Sequence, residues 1–401
     1  MAIEFRPARA DELPEFRRLV AYVFAEPSPP REGAEPPMQP EWTSCAFVDG
    51  RMAATFAAYP FTMRWNGAPA ATAGVTGVGT YPEYRRQGLL RALVERSFAE
   101  QRDRGQSLAI LWASFGAIYQ RFGFGLASTA VSYDLEPRHI AFEDPTPPSG
   151  TARLVRAEDA LPEMKRVYIE IATPRNLMLH RVPAMWQGHL RQGTGAHHAA
   201  VYYAASGEPT GYLLYTTREV PNWGEPAPDQ EMEVVDWAAL DLDAYRGVFD
   251  YLRRHDLVRR AKFWRVPEDD PGYALFLEPR ALRRRTGDGI YLRIVDVEQA
   301  LAARPYAEAG ALTLAVLDEL CDWNHARFRL DSDGGRATVT RGGRAPDLTL
   351  PVRSLSMLAS GYRSATELAR WGLLEAADPR VLRLADRIFA TEYRGYCPDG
   401  F

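Results

Sequence analysis

The segment from Val78 to Arg91, VGTYPEYRRQGLLR, holds the pattern with the clearest chemistry. An extended run ends there, a basic turn carries one glycine, and an amphipathic helix starts, with Leu89, Leu90, Leu93, Val94 and Phe98 inward. The first turn of a helix offers unpaired N–H groups and the positive end of its dipole, and together these bind phosphate. Gly88 lets a diphosphate approach the backbone with no Cβ in the way. Arg85, Arg86 and Arg91 supply compensating charge. The segment matches neither GxGxxG nor GxxxxGK(S/T), so neither a dinucleotide nor a Walker loop is favoured.

Metal chemistry has no comparable pattern. Cys45, Cys321 and Cys397 lie far apart without a CxxC pair, and the seven histidines contain no HExxH. This cysteine usage fits a reducing cytoplasm. A net charge of -4 and a pI of about 6.1 are unsuited to coating a nucleic-acid backbone. No apolar run approaches the roughly 20 residues that span a bilayer, and MAIEFRPARADELPEF lacks the apolar core of a signal peptide. The expectation is a cytoplasmic protein with no metal, nucleic-acid or membrane partner.

The elements that must position the basic turn follow from periodicity and turn signals. At 401 residues the chain is long enough for two or three domains. Ile3–Arg6 reads as a strand, followed by a helix with Phe16, Leu19, Val20 and Val23 at helical spacing. Residues 27 to 40, rich in proline and glycine, read as a loop or lid. Asp49-Gly50 and Asn66-Gly67 mark two hairpins, because both turn residues must tolerate positive φ. The strand through Gly74 to Thr80 leads into the basic turn, and Leu108–Trp112 is a buried strand. A short helix through Tyr119 and a strand near Thr129–Leu135 follow. EDPTPPSG at 143–150 is the clearest linker. Beyond it, VRAEDALPEMKRV at 155–167 echoes ARADELPEFRRL at 8–19, so residues 151–288 read as a second copy of the first fold. In that copy Asp241 and Asp243 stand where a phosphate would need a basic turn, which predicts one cofactor site per chain. From Gly289 a different α+β module begins, with a strand at Ile290–Val295 and a helix around Leu312–Leu320.

Arg85-Arg86-Gln87-Gly88-Leu89-Leu90 resembles the acetyl-CoA motif of the GNAT superfamily of N-acetyltransferases, departing at Leu90, where the motif has a small residue. The run from Ala113 to Gly125, ASFGAIYQRFGFG, resembles the tyrosine segment of the enhanced-intracellular-survival (Eis) type, as do a length near 400 residues and an aromatic last residue. The resemblance covers the whole chain and implies an α+β architecture. A catalytic GNAT domain (1–142) and a degenerate copy (151–288) precede a sterol-carrier-protein-like domain (289–401). It further implies a homo-hexamer that transfers acetyl from acetyl-CoA to amines of aminoglycoside- or polyamine-like molecules. Protein lysines as substrates, or a non-catalytic acyl-CoA or lipid sensor, remain as alternatives.

A thioester attacked by a neutral amine needs a donor for its oxygen, an acid for its sulfur and a base for the ammonium. By resemblance, Val78 and Thr80 pair with the pantetheine arm, and the N–H near Val78 polarises the carbonyl. Arg85, Arg86, Gly88 and Leu89 hold the diphosphate. Tyr119 protonates the leaving thiolate, and its ordinary pKa near 10 suits donation better than proton removal. The carboxylate of Phe401 accepts the ammonium proton, while Ser114 touches the cofactor, orients Tyr119 or caps a helix. Phe24, Glu26, Trp42 and Asp399 line an acidic, aromatic pocket for a polycationic amine. With no cysteine in either motif, direct transfer without an acyl-enzyme is expected.

Overall fold

The computed structural model describes residues 2–26, 38–193, 195–221 and 229–401. The 27–40 segment therefore lies mostly outside the described residues. Three sheets organise the chain. The first has seven strands in the order β1 (Ile3–Arg6), β2 (Thr43–Val48), β3 (Arg51–Trp65), β4 (Ala68–Thr80), β5 (Leu108–Trp112), β14 (Ile290–Ile294) and β6 (Gly125–Leu126). The second runs β13 (Arg285–Asp288), β7 (Thr129–Leu135), β12 (Val258–Val266), β11 (Gln230–Ala239), β10 (Pro209–Glu219), β9 (His197–Tyr203) and β8 (Thr151–Arg156). The third has five strands: β17 (Ala337–Arg341), β16 (Ala326–Asp333), β15 (Ala309–Leu317), β18 (Leu348–Pro351) and β19 (Glu375–Ala376).

The hairpins form where the turn chemistry puts them. Asp49 and Gly50 sit at φ +46° and +81°, and Asn66 and Gly67 at +49° and +93°, the both-positive geometry of a type I′ turn. Helices α1 (Leu13–Phe24) and α4 (Leu161–Ala172) are both twelve residues long and both open with Leu-Pro-Glu. Each follows the first strand of its half. In the first half α2 (Leu89–Asp103) and in the second α6 (Leu242–Arg253) connect parallel neighbours, β4 to β5 and β11 to β12. The internal repeat is thus a repeat of fold. Around Leu312, however, the chain is the strand β15 and not a helix. Leu312, Leu314 and Val316 are all buried, and that period of two decides for a strand.

The two halves exchange strands, and this corrects the placement of two segments. Thr129–Leu135, expected to close the first domain, lies in the second sheet between β12 and β13. Ile290–Ile294, expected to open the last module, lies in the first sheet between β5 and β6. Its side chains are buried on both faces: Ile290, Leu292 and Ile294 join the core shared with the C-terminal module, and Tyr291 joins the core under α2. That is the environment of a central strand, but burial alone does not reveal which sheet supplies it. Both crossings happen at one point. Gly289 N–H donates to the Ser128 carbonyl at 3.0 Å, and a Cβ at Gly289 would lie 2.4 Å from Ser128 Oγ. Only glycine lets the two crossing strands approach so closely.

On one face of the first sheet lie α1 and the C-terminal module, and on the other lies α2. Trp65, fully buried, donates its Nε1–H to the Ala300 carbonyl at 2.9 Å and fixes the module to β3. Cys45, Cys321 and Cys397 are all buried free thiols. Among the described residues no helix is long and apolar enough to cross a membrane, and no cluster of His, Cys, Asp and Glu is placed to hold a metal ion.

Candidate active site

The site begins where two parallel strands part. β4 and β5 pair at Thr72–Leu108, Ala73–Ala109 and Gly74–Ile110, and there the ladder between them stops, although β4 continues to Thr80 and β5 to Trp112. Towards β3, the pairing skips from Thr76–Ala57 to Gly79–Thr55, so Gly77 and Val78 face Phe56 without ladder partners. Gly77 has φ +56°, and Thr55 Oγ1 donates to its carbonyl at 2.8 Å. A bulge bends its strand, here away from β5. The result is a wedge whose apex is Gly74 and whose one wall is the backbone of Val75–Thr80. An extended chain with amide groups can add to such an edge.

At the mouth of the wedge stand the basic turn and α2. Gly88 is the residue preceding α2, at φ +79°, and no side chain caps the helix. Glycine suits the left-handed backbone here, and no described protein atom lies within 4 Å of where a Cβ would stand, so the backbone is open to a ligand at this point. Arg86 also sits at positive φ, +63°. Arg85, Arg86 and Arg91 are exposed; Arg85 Nε donates to the Thr80 carbonyl at 3.1 Å, and Arg91 lies 3.3 Å from Glu95. Thr80 is half-buried, and Leu89 turns its side chain into the core under α2. The uncapped N–H groups, the exposed guanidinium groups and the open edge fit a diphosphate followed by a pantetheine arm.

Tyr119 lies on α3 (Gly116–Gln120), directly after β5, and its ring packs edge-on against Phe124 at 6.0 Å. It is 7% exposed, and its hydroxyl bonds no group among the described residues. Burial pushes its pKa up to about 12, so it is a neutral hydroxyl at physiological pH. Ser114 is exposed, and the residue preceding α3 is Phe115, so Ser114 is not the cap.

The last residues enter the wedge from the second half of the chain. Phe401 packs against Phe61 with ring centroids 5.1 Å apart, and its ring is 3.3 Å from where a Gly74 Cβ would stand. It therefore sits at the apex. A row of rings, Trp42–Tyr59–Phe61–Phe401, spaced 5.7, 5.6 and 5.1 Å, leads to it. Trp42 is thus brought to the site through Tyr59 and Phe61, which the sequence reading passed over. Phe24 and Glu26 are exposed at the end of α1, bordering the undescribed 27–37 segment.

Asp399 is a correction. Expected as an exposed acid for a cationic substrate, it is 1% exposed and spoken for. Its Oδ1 accepts from Arg181 Nε at 2.7 Å and from His189 Nε2 at 2.9 Å, and Oδ2 from Tyr168 at 3.2 Å. Burial opposes its ionisation, but the Arg181 charge and the His189 bond outweigh it and hold the pKa at about 2. Arg181 in turn donates to both oxygens of Asp236, at 2.5 and 3.1 Å. One arginine with two aspartates leaves no signal in linear sequence, because the three come from distant segments.

The second half repeats the wedge with different groups at its mouth. β11 and β12 part beyond Val234–Phe263. Asp241 caps α6 by accepting from Ala244 N–H at 2.7 Å, and Asp243 accepts from Ser149 and Tyr202. The helix start that would bind phosphate is therefore filled from within and acidic. At the parting strands, the Arg265 carbonyl accepts from Tyr396 OH at 3.2 Å.

Comparisons agree with this anatomy. The acetyltransferase (GNAT) domain family matches residues 4–127, a second acetyltransferase (GNAT) family matches 177–294, and the sterol carrier protein domain matches 297–398. N-acetyltransferase Eis of Mycobacterium tuberculosis is 30% identical over 327 residues, covering 80% of this chain and 78% of the relative. An uncharacterized N-acetyltransferase of Streptomyces coelicolor is 30% identical over 345 residues, 84% and 82% of the two chains. The crystal structure of Eis1 from Mycobacterium abscessus covers 100% of both chains with a TM-score of 0.85 at 27% identity. A GCN5-related N-acetyltransferase from Anabaena variabilis shares the fold, with a TM-score of 0.88 at 23% identity over 100% of both chains. Two acetyltransferase domains, a sterol-carrier-type module and relatives at this identity over most of their length lead to one assignment: the chain belongs to the GNAT N-acetyltransferases of the Eis type.

Proposed function

We propose that the protein moves the acetyl group of acetyl-CoA directly onto a primary amine of a polycationic small molecule, of aminoglycoside or polyamine kind. The observation that carries this reading is the buried phenol of Tyr119, without a partner among the described residues, on the helix that follows β5, the strand that parts from β4 where Phe401 packs at Gly74. Acetyl-CoA, when bound, supplies the thioester whose carbon the amine attacks. Backbone edges at Val78 and Thr80 align its arm, Arg85, Arg86, Gly88 and Leu89 hold its diphosphate, and exposed Ser114 touches the cofactor or orients Tyr119. The N–H near Val78 steadies negative charge on the carbonyl oxygen. As the C–N bond forms and the C–S bond breaks, Tyr119 gives its proton to sulfur and the Phe401 carboxylate takes one from nitrogen. A carboxylate with an ordinary pKa near 3.5 is a weak base, so it acts chiefly by position and by attracting the cationic amine.

The row Trp42–Tyr59–Phe61 supports a cationic substrate, since ring faces attract ammonium groups. Phe24 and Glu26, exposed at the end of α1, are the further substrate-side residues of this reading. Assembly into the hexamer that the family resemblance implies is read directly by light scattering. The function is tested with acetyl-CoA and a panel of an aminoglycoside, spermidine and lysine peptides, followed by thiol release and product mass. Acetylation of the small amines is the expected result. Peptides as the preferred substrates would shift the reading to protein lysine, and tight acetyl-CoA binding without thiol release would leave a sensor.

A further inference from the structure

The second acetyltransferase-like half, whose α6 start is acidic and capped from within, buries a costly charge cluster. Asp236, Asp399 and Arg181 have fully buried side chains, joined by His189, Tyr168 and Tyr212. Arg181 is stacked 3.8 Å over Tyr168 and 4.7 Å from Trp186. A buried ion cluster of this kind is weak as a source of stability and strong as a means of fixing one geometry. What it fixes is Asp399, two residues before Phe401. The rest of the tail is held from the same side. Arg265 Nη1 donates to the Pro398 carbonyl at 2.9 Å, and Tyr396 N–H donates to the Asn176 carbonyl at 3.0 Å. From the first sheet comes one further tie, Trp112 Nε1–H to the Asp399 carbonyl at 2.9 Å. Trp112 ends β5, the strand that leads into Tyr119.

We propose that the second half of the chain serves as the cradle that sets Phe401 in the first half's wedge, with Arg181 and Asp399 as its positioning residues. This rests on the reading of Phe401 as the group that takes the amine proton. The cluster touches no reacting atom; it acts by fixing where the tail ends. Displacement of a catalytic group by about 1 Å costs on the order of 10²-fold in rate, so loosening the cradle lowers kcat and leaves acetyl-CoA KM alone.

The test uses the full chain with Asp399→Asn, Arg265→Gln and a version extended after Phe401. Asp399→Asn is expected to lower kcat on the order of 10²-fold, with acetyl-CoA KM unchanged and faster hydrogen exchange in the 395–401 peptide. Arg265 is only partly buried, so its variant stays folded if the cluster variant does not; it should show the same pattern more weakly. Rapid tail exchange with undiminished kcat in Arg265→Gln overturns the proposal, as does unchanged exchange together with unchanged kcat. The extended chain separates the two ideas. If it is inactive while both tail variants are fully active, the cradle fails and the carboxylate role stands. If it keeps full activity, the carboxylate role fails, and with it the proposal.

Discussion

At the residue scale the proposed chemistry rests on a phenol that bonds no described group. Because Tyr119 OH bonds no described group, Tyr119→Phe removes no stabilising contact. The expected outcome is an unchanged melting temperature and acetyl-CoA affinity with turnover lower by about 10²-fold or more; steady-state kinetics and calorimetry check this together. The sign of its pH dependence follows from burial. Its pKa of about 12 lies above the ordinary value near 10, so the donating form persists through pH 10. Turnover limited by this group should fall only as pH rises towards 12. Asp399 runs the other way. Its pKa of about 2 lies below its ordinary value of 3.8, so its contribution to stability is complete above about pH 4 and is lost as pH falls towards 2. Acid titration followed by tail hydrogen exchange reads that loss. The contrast shows what was legible. Arg85 to Arg91 and Tyr119 stand in contiguous runs, so the family resemblance could be drawn from the sequence. An acidic residue near a chain end reads equally as pocket lining or as anchor, and only the non-local approach of Arg181 and His189 decides for Asp399.

At the element scale the decisive feature is the parting of β4 from β5. It needs the bulge at Gly77–Val78, and it ends in a helix start left uncapped. Gly88→Ala meets no neighbouring protein atom but puts a methyl group where the diphosphate would approach and opposes a φ of +79°, the latter costing about 1 kcal/mol. The expected outcome is a several-fold weaker acetyl-CoA affinity with little change in saturated turnover, measured by calorimetric titration. The hairpins, α1, α2 and their repeat were legible because turn dipeptides and apolar spacing are local signals. Leu312–Val316 misled because three inward apolar residues over a short run are too few to fix the period. The wedge itself was not legible, since it is a relation between two strands separated by all of α2.

At the scale of the whole molecule the halves are not beads on a string. β7 is lent to the second sheet and β14 to the first, through the crossing at Ser128 and Gly289. A fragment ending at residue 142 would leave β5 without its neighbour and an apolar edge exposed. Expressed alone, it should be insoluble or lack a dispersed amide spectrum, while the full chain unfolds its two large sheets in one calorimetric transition. Gly289→Ala should lower the melting temperature by several degrees, a cost of the order of 1–3 kcal/mol for overpacking. The crossing also imposes an order on biosynthesis. While the ribosome is still making the second half, the open side of β5 has only a temporary cover, and the sheet that will bear the chemistry cannot close until Ile294 has emerged. Nascent chains of this protein are therefore committed to a long wait with a sticky strand in view, the circumstance in which a chaperone earns its place beside the exit tunnel.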